Sequence, residues 1–426
     1  MLVKLLEYIK NNKLVKSGLS YSLASTLSTV VTMIVGFVNM RWLGPELLGI
    51  WQSLLIVNAY LPFLQLGIQS GLNLELPIEL GRGDTIKASS LVATAKSFAI
   101  ILSLLLLVAG AVVITVLITS GADLKVVFGA VAIVIMAIVQ CFRLHFVATY
   151  RSSRAFDKLS KIYLIDSLVN LILVFFIYKF QYYGLLIYNV LGQIITTSLM
   201  YYYAPYRSEN ARFNKKDFII LFKRGMFMSV FNQIKSVINS FPRVLILYLG
   251  GVVQVGLFTP ALSVGHFINM LPGQLAQFIV PQMGYKYGKD GKASEMWKYL
   301  KKITIYMPLM ILPFSILGWF IIPYVLEYIF PKYIESLWPI RVMLFGFVFS
   351  LKIAYNALIT IKAYREVLLL QGVDAFCLLI IPYAIVKMGV YTMAIDMSIG
   401  LSIGYFVSYF VNYWVVKRTL FLPKYN

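Results

Sequence analysis

Residues 97–120 read SFAIILSLLLLVAGAVVITVLITS, a run without one charged side chain. As a helix rising about 1.5 Å per residue it would cross a hydrocarbon core of about 30 Å. Comparable runs recur from one end of the chain to the other. They are read as spans over 17–40, 47–71, 97–120, 126–148, 162–180, 182–203, 226–249, 253–283, 303–326, 336–360, 367–387 and 390–416. The composition agrees, with 60% hydrophobic residues, 13% charged residues and a mean hydropathy of +0.81. A soluble domain carries about 25% charged residues, so a soluble protein is excluded. An outer-membrane barrel is excluded too, because its strands alternate in polarity over about ten residues. The predicted fold class is an all-α polytopic membrane protein with about 12 transmembrane helices.

The net charge of +21 arises from 38 lysines and arginines against 17 acids. Cytoplasmic loops attract Lys and Arg, and 28 of the 38 fall in one alternating set of loops and tails. That set includes Lys10 and Lys13, Arg151 and Arg154, Lys215 and Lys216, Lys301 and Lys302, and Lys417 and Arg418. Both termini are therefore expected in the cytoplasm, and the charge reflects topology rather than a nucleic-acid partner. Residues 1–16 read as a basic amphipathic segment lying on the inner leaflet. Cys141 and Cys377 fall inside apolar runs and read as packing residues.

A weak repeat divides the chain. Lys16-Ser17-Gly18 opens span one, and Leu43-Gly44 followed by Gly49 closes it. Lys223-Arg224-Gly225 opens span seven, and Leu249-Gly250 followed by Gly256 closes that one. With six spans between the copies, both halves have the same orientation, a parallel repeat about the membrane normal. The expected organisation is an N-terminal six-helix lobe over 1–205, a basic cytoplasmic linker over 206–225 and a C-terminal six-helix lobe over 226–426.

Five cations remain inside spans: Arg143, Lys235, Arg243, Arg341 and Lys352. Three acids share those regions, Asp166, Asp374 and Asp396. Intramembrane charge is costly and by default faces protein or water. Asn232, Lys235, Asn239 and Arg243 follow at helical spacing and form one stripe about 80° wide. Span one carries Tyr21, Ser25, Ser28, Thr32 and Asn39 on one face; span two carries Asn58, Gln65 and Gln69; span eight carries His266, Asn269 and Gln277. Arg341, Lys352 and Asn356 are expected on one face of span ten. The first two spans of each lobe thus present polar faces suited to a shared cavity. Arg243 and Arg341, near outer span ends, are open to either ligand binding or snorkelling to headgroups. Asp166 and Asp374 are coupling candidates, although Asp374 and Asp396, near span ends, read more readily as ordinary interface residues. No Walker A motif, metal-ligand spacing or Gly-x-Ser-x-Gly elbow is present, so no cofactor, metal site or enzymatic activity is expected.

At Arg41-Trp42-Leu43-Gly44-Pro45-Glu46, Phe241-Pro242-Arg243 and Tyr333-Ile334-Glu335-Ser336-Leu337-Trp338-Pro339-Ile340-Arg341 the chain resembles the polysaccharide transporter family. These are the O-antigen and capsule flippases of the multidrug/oligosaccharidyl-lipid/polysaccharide exporter superfamily. Pro242 departs from the acidic residue that many relatives carry before the Arg. The resemblance implies two lobes opening alternately to each side of the inner membrane. It also implies a polyprenyl-diphosphate-linked oligosaccharide as cargo, carried within the lipid bilayer, and polysaccharide polymerase machinery as a partner. Arg would pair the diphosphate bidentately and Lys as a point charge. The alternatives are a lipid II flippase, a multidrug or cation antiporter of the same fold, and an integral-membrane glycan polymerase or ligase.

Overall fold

The computed structural model describes residues 13–290 and 293–423, all of them helix, turn or short connection. In chain order the elements are α1 (Lys13–Trp42), α2 (Pro45–Leu64), α3 (Ile68–Arg82), α4 (Thr85–Thr119), α5 (Leu124–Ser152), α6 (Phe156–Tyr202), α7 (Lys215–Asp290) and α8 (Ala293–Tyr328). A 3₁₀ turn (Pro331–Ser336) then leads to α9 (Leu337–Val348), α10 (Tyr355–Thr360), α11 (Tyr364–Ala375), a π-helical stretch (Phe376–Ile380), α12 (Ile381–Met388) and α13 (Met393–Leu420). Most of the basic segment 1–16, and the side chains of Gln277, Lys286, Lys289 and Lys292, lie outside the described residues.

Nine described helices are long and apolar enough to cross a membrane, which makes this a multi-pass membrane protein. The difference from twelve has local causes. α6 holds spans five and six, broken at Gln181 (φ 51°). There the chain doubles back: a Cβ on Gly184 would stand 1.9 Å from the Phe176 carbonyl oxygen. α7 holds spans seven and eight, broken at Gly251 (φ 76°), a left-handed position that glycine occupies without strain. Span ten is interrupted between α9 and α10. Span two is also shorter than expected: α2 ends at Leu64, Leu66 and Gly67 have positive φ, and α3 continues as a separate helix into the expected loop.

The chain forms two compact units. One comprises Met1–Leu43 and Leu54–Gln233, the other Gly44–Ser53 and Ile234–Asn426. In the first unit, Ile68, Leu72 and Leu76 of α3 pack with Leu91, Val92 and Ala95 of α4 and with Leu221 of α7. Within this unit the basic stretch 206–225 is fastened down. Lys87 Nζ donates to Asp217 Oδ1 at 2.5 Å, and Ser90 donates to the same carboxylate, which is almost wholly buried. Ser89 Oγ donates to Glu209 at 2.8 Å, Lys96 Nζ donates to the Glu209 carbonyl at 2.6 Å, and Arg224 pairs with buried Glu75 at 2.7 Å. In the second unit, Ser336 Oγ donates to the Leu257 carbonyl at 2.7 Å and Ser315 Oγ to the Leu344 carbonyl at 3.0 Å.

Gly49, Gly225 and Gly256 of the sequence repeat serve close backbone contact, as does Gly71 outside it, whereas Gly44 meets nothing within 4 Å. A Cβ on Gly71 would stand 2.0 Å from the Leu221 carbonyl oxygen, and one on Gly256 1.8 Å from that of Pro45. Gly71→Ala and Gly256→Ala should each destabilise the protein by about 1–3 kcal/mol, the usual range for overpacking. Gly36, with nothing within 4 Å of its added Cβ, supplies the control. Thermal unfolding in detergent should show a lower midpoint for the first two variants and an unchanged or higher one for Gly36→Ala.

Candidate functional site

Among the described residues of the second unit, a cluster of charged side chains is built on a break in a helix. α9 ends at Val348 and α10 starts at Tyr355, so 349–354 is unwound and carries Lys352. Its Nζ donates to Asp374 Oδ1 at 2.5 Å and to Ser408 Oγ at 2.6 Å, while the Ser408 hydroxyl donates to Asp374. Asp374 lies on α11, two residues before the π-helical stretch, and Ser408 on α13. The lysine side chain is 12% exposed and the aspartate side chain 26%. Non-helical backbone at membrane depth is tolerated where it is buried in protein or lines a polar cavity. Asn356 on α10 donates from Nδ2 to the Ile353 carbonyl at 3.1 Å, which ties down the end of the unwound stretch.

Along α7, Asn232, Lys235 and Asn239 are exposed on the face that Arg243 continues. Arg243 is half-buried, and its Nε makes no hydrogen bond among the described residues. His266, later on the same helix, is exposed and lies within electrostatic reach of Arg243. Toward the other end of α9, Arg341 is stacked over two indoles, at 4.8 Å from Trp319 and 5.3 Å from Trp338, and its Nε donates to the Trp319 carbonyl at 3.3 Å.

The first unit holds a carboxylate of a different kind. Asp166 on α6 accepts from Ser28 Oγ of α1 at 3.1 Å, from Asn170 Nδ2 at 3.1 Å and from Thr196 Oγ1 at 2.5 Å. All three donors are neutral. The doubling back at Gln181 brings Thr196 onto Asp166 across 30 residues of sequence.

No family model matches the sequence, and no curated protein matches it. Solved structures do. An inward-facing conformation of a multidrug resistance MATE family transporter of the MOP superfamily superposes with a TM-score of 0.74, over 93% of this chain and 98% of that one, at 16% identity. The outward-facing conformation of such a transporter gives 0.66 at 17% identity, over 95% of each chain. A MOP superfamily transporter from Pyrococcus furiosus, described as having a binding pocket of reversed polarity, gives 0.65 at 17% identity, again over 95% of each chain. The chain has the fold of these transporters. That fold is the twelve-helix, two-lobe arrangement expected from the apolar runs.

The sequence-selected residues fall into groups. In the second unit His266 lies within electrostatic reach of Arg243, and Lys235 of Lys352; Asn232 and Asn239 are on the helix of Lys235, and Lys352, Asp374 and Asn356 gather at the helix break. Two expected faces do not form. Arg341, Lys352 and Asn356 share no helix face, because 349–354 interrupts the helix between the first and the other two. Asn58 and Gln69 are separated by the break at Gln65, Leu66 and Gly67; Gln65 is buried, and Gln69 donates to the Ala95 carbonyl at 3.4 Å, a helix-to-helix bond. Arg143 and Asn58 are half-buried in the first unit. Buried Asp396 accepts from the Tyr391 N–H at 3.1 Å and secures the start of α13. The sequence reading passed over Ser408, Asn170 and Thr196. For Asn170 a signal existed, its i, i+4 spacing from Asp166; Ser408 and Thr196 become visible only with the fold.

Removing one member of the Lys352–Asp374 pair strands the other in a low-dielectric interior. Lys352→Met and Asp374→Leu should each cost about 3–5 kcal/mol, whereas the double variant should recover most of that loss. Unfolding midpoints of the four proteins in one detergent test this. A double variant as unstable as the sum of the singles would mean the pair is not an energetic unit.

Proposed function

We propose that this protein is a flippase that carries a polyprenyl-diphosphate-linked oligosaccharide from the cytoplasmic to the periplasmic leaflet of the cell inner membrane by alternating access. The observation that carries the reading is the sign of the exposed polar face on α7. Lys235 stands open there between Asn232 and Asn239, and half-buried Arg243 continues the face. An anionic diphosphate matches this face and an organic cation does not. Amide side chains suit sugar hydroxyls, and the prenyl tail can remain in lipid. The fold supports the transport class, since its structural neighbours are transporters. The polysaccharide polymerase machinery would receive the cargo on the outer side.

Within this proposal Lys235 and Arg243 hold the diphosphate, with His266 and Lys352 nearby. Asn239 and Asn356, of the same unit, offer amides to the sugars. Arg341 is assigned to anchoring at the outer interface, because its guanidinium lies over two indoles and its Nε is spent on a carbonyl. Asp166 is the coupling group: a carboxylate held by three neutral donors can take up a proton or a monovalent cation without first breaking an ion pair. The antiporter reading draws on the same residue, since an acid of this kind also serves cation exchange.

Reconstitution in liposomes tests the proposal. Wild type should move a polyprenyl-diphosphate oligosaccharide between leaflets, and Lys235→Ala and Arg243→Ala, at equal folded levels, should each slow it at least tenfold. Wild-type protein that moves no such lipid but exchanges an organic cation for protons or sodium would replace the flippase by the antiporter.

A further inference from the structure

We propose that Asp374 is a resident counter-ion at an exchangeable anion site, holding Lys352 until a phosphate-type anion of the cargo takes its place. This rests on the flippase reading for the identity of the cargo, and it adds an account of how that cargo is admitted and sensed.

Three observations meet here. Lys352 has two partners, Asp374 and Ser408, and Ser408 also donates to Asp374. The lysine is therefore satisfied by an acid whose own place is kept by a second donor when the lysine leaves. The pair is open on the acid's side, with the aspartate about twice as exposed as the lysine. The lysine rides on unwound backbone, where the N–H groups of Leu351, Lys352 and Ile353 make no hydrogen bond among the described residues. An anion arriving there finds an ammonium and backbone donors together. Lys235 lies within electrostatic reach of Lys352 and offers the second positive charge that a diphosphate needs.

With Lys352 turned to the incoming anion, Asp374 keeps the Ser408 hydroxyl, on the open side of the pair. The groups facing the pair are Lys235 from α7, Tyr355 from α10, Cys377 from the π-helical stretch and Tyr405 and Ser408 from α13. No second carboxylate stands among these groups, so Asp374 is the anion that the cargo must displace.

The test uses the full chain in detergent and P1,P2-dimethyl diphosphate, a soluble diester whose charge is constant between about pH 5 and pH 9. Asp374→Asn removes the resident anion and should bind at least tenfold more tightly than wild type at neutral pH. Should Asp374→Asn not fold, Asp374→Ser carries the test: it also removes the resident anion, and binding should tighten likewise. Lys352→Gln should abolish binding. Wild-type protein with no detectable binding at millimolar concentration, or an Asp374→Asn variant that binds no better than wild type, would overturn the exchange. If the binding is as stated but no lipid-linked oligosaccharide moves in liposomes, the site stands and the cargo assignment falls.

Discussion

Hydrocarbon supplies no hydrogen bonds, so a chain inside it must satisfy its own polar groups or place them against protein or water. Each departure from plain helix in this structure is governed by that condition. Gln181 and Gly251 turn the chain between paired spans, and the break at 65–67 is followed at once by α3. The unwound 349–354 is the costliest departure, and it coincides with the lysine that has the most elaborate set of partners. The polar chemistry of the second unit collects where the helix gives way.

Much of the architecture was legible in the sequence because it follows from long apolar runs. The repeat of Gly44 and Gly49 with Gly250 and Gly256 was also visible, though not its purpose. In the structure Gly49 and Gly256 stand at a near approach of 45–49 to 252–256 that leaves no room for a side chain. The stripe on α7 survived because its helix is unbroken across it. The face expected of Arg341, Lys352 and Asn356 did not. Residues 349–354 read Phe-Ser-Leu-Lys-Ile-Ala, with no Gly or Pro to mark a break, and only tertiary partners make unwinding tolerable there. Gly67, by contrast, does mark the break after α2, and the apolar run simply obscured it. The pairing of Lys352 with Asp374 and Ser408 joins positions 22 and 56 residues away, beyond the reach of helical periodicity.

The two units treat their carboxylates differently. Asp166 is surrounded by hydroxyl and amide donors, whereas Asp374 faces an ammonium. A neutral cradle leaves a carboxylate ready for an outside cation; an internal ammonium answers that need in advance and turns the site toward anions. Two acids of one residue type thus point to opposite ligands, and the difference lies in a single partner side chain.

The fastening of 206–225 also bears on how the chain could be made. The boundary between the units falls at Gln233 and Ile234, inside a helix, while the polar loop ahead of α7 is held to the first unit through Glu209, Asp217 and Arg224. A chain nicked in that loop would still carry, on its second fragment, the turns that grip the first. The halves could be synthesised as two polypeptides and find each other in the bilayer by an aspartate meeting a lysine and an arginine meeting a glutamate.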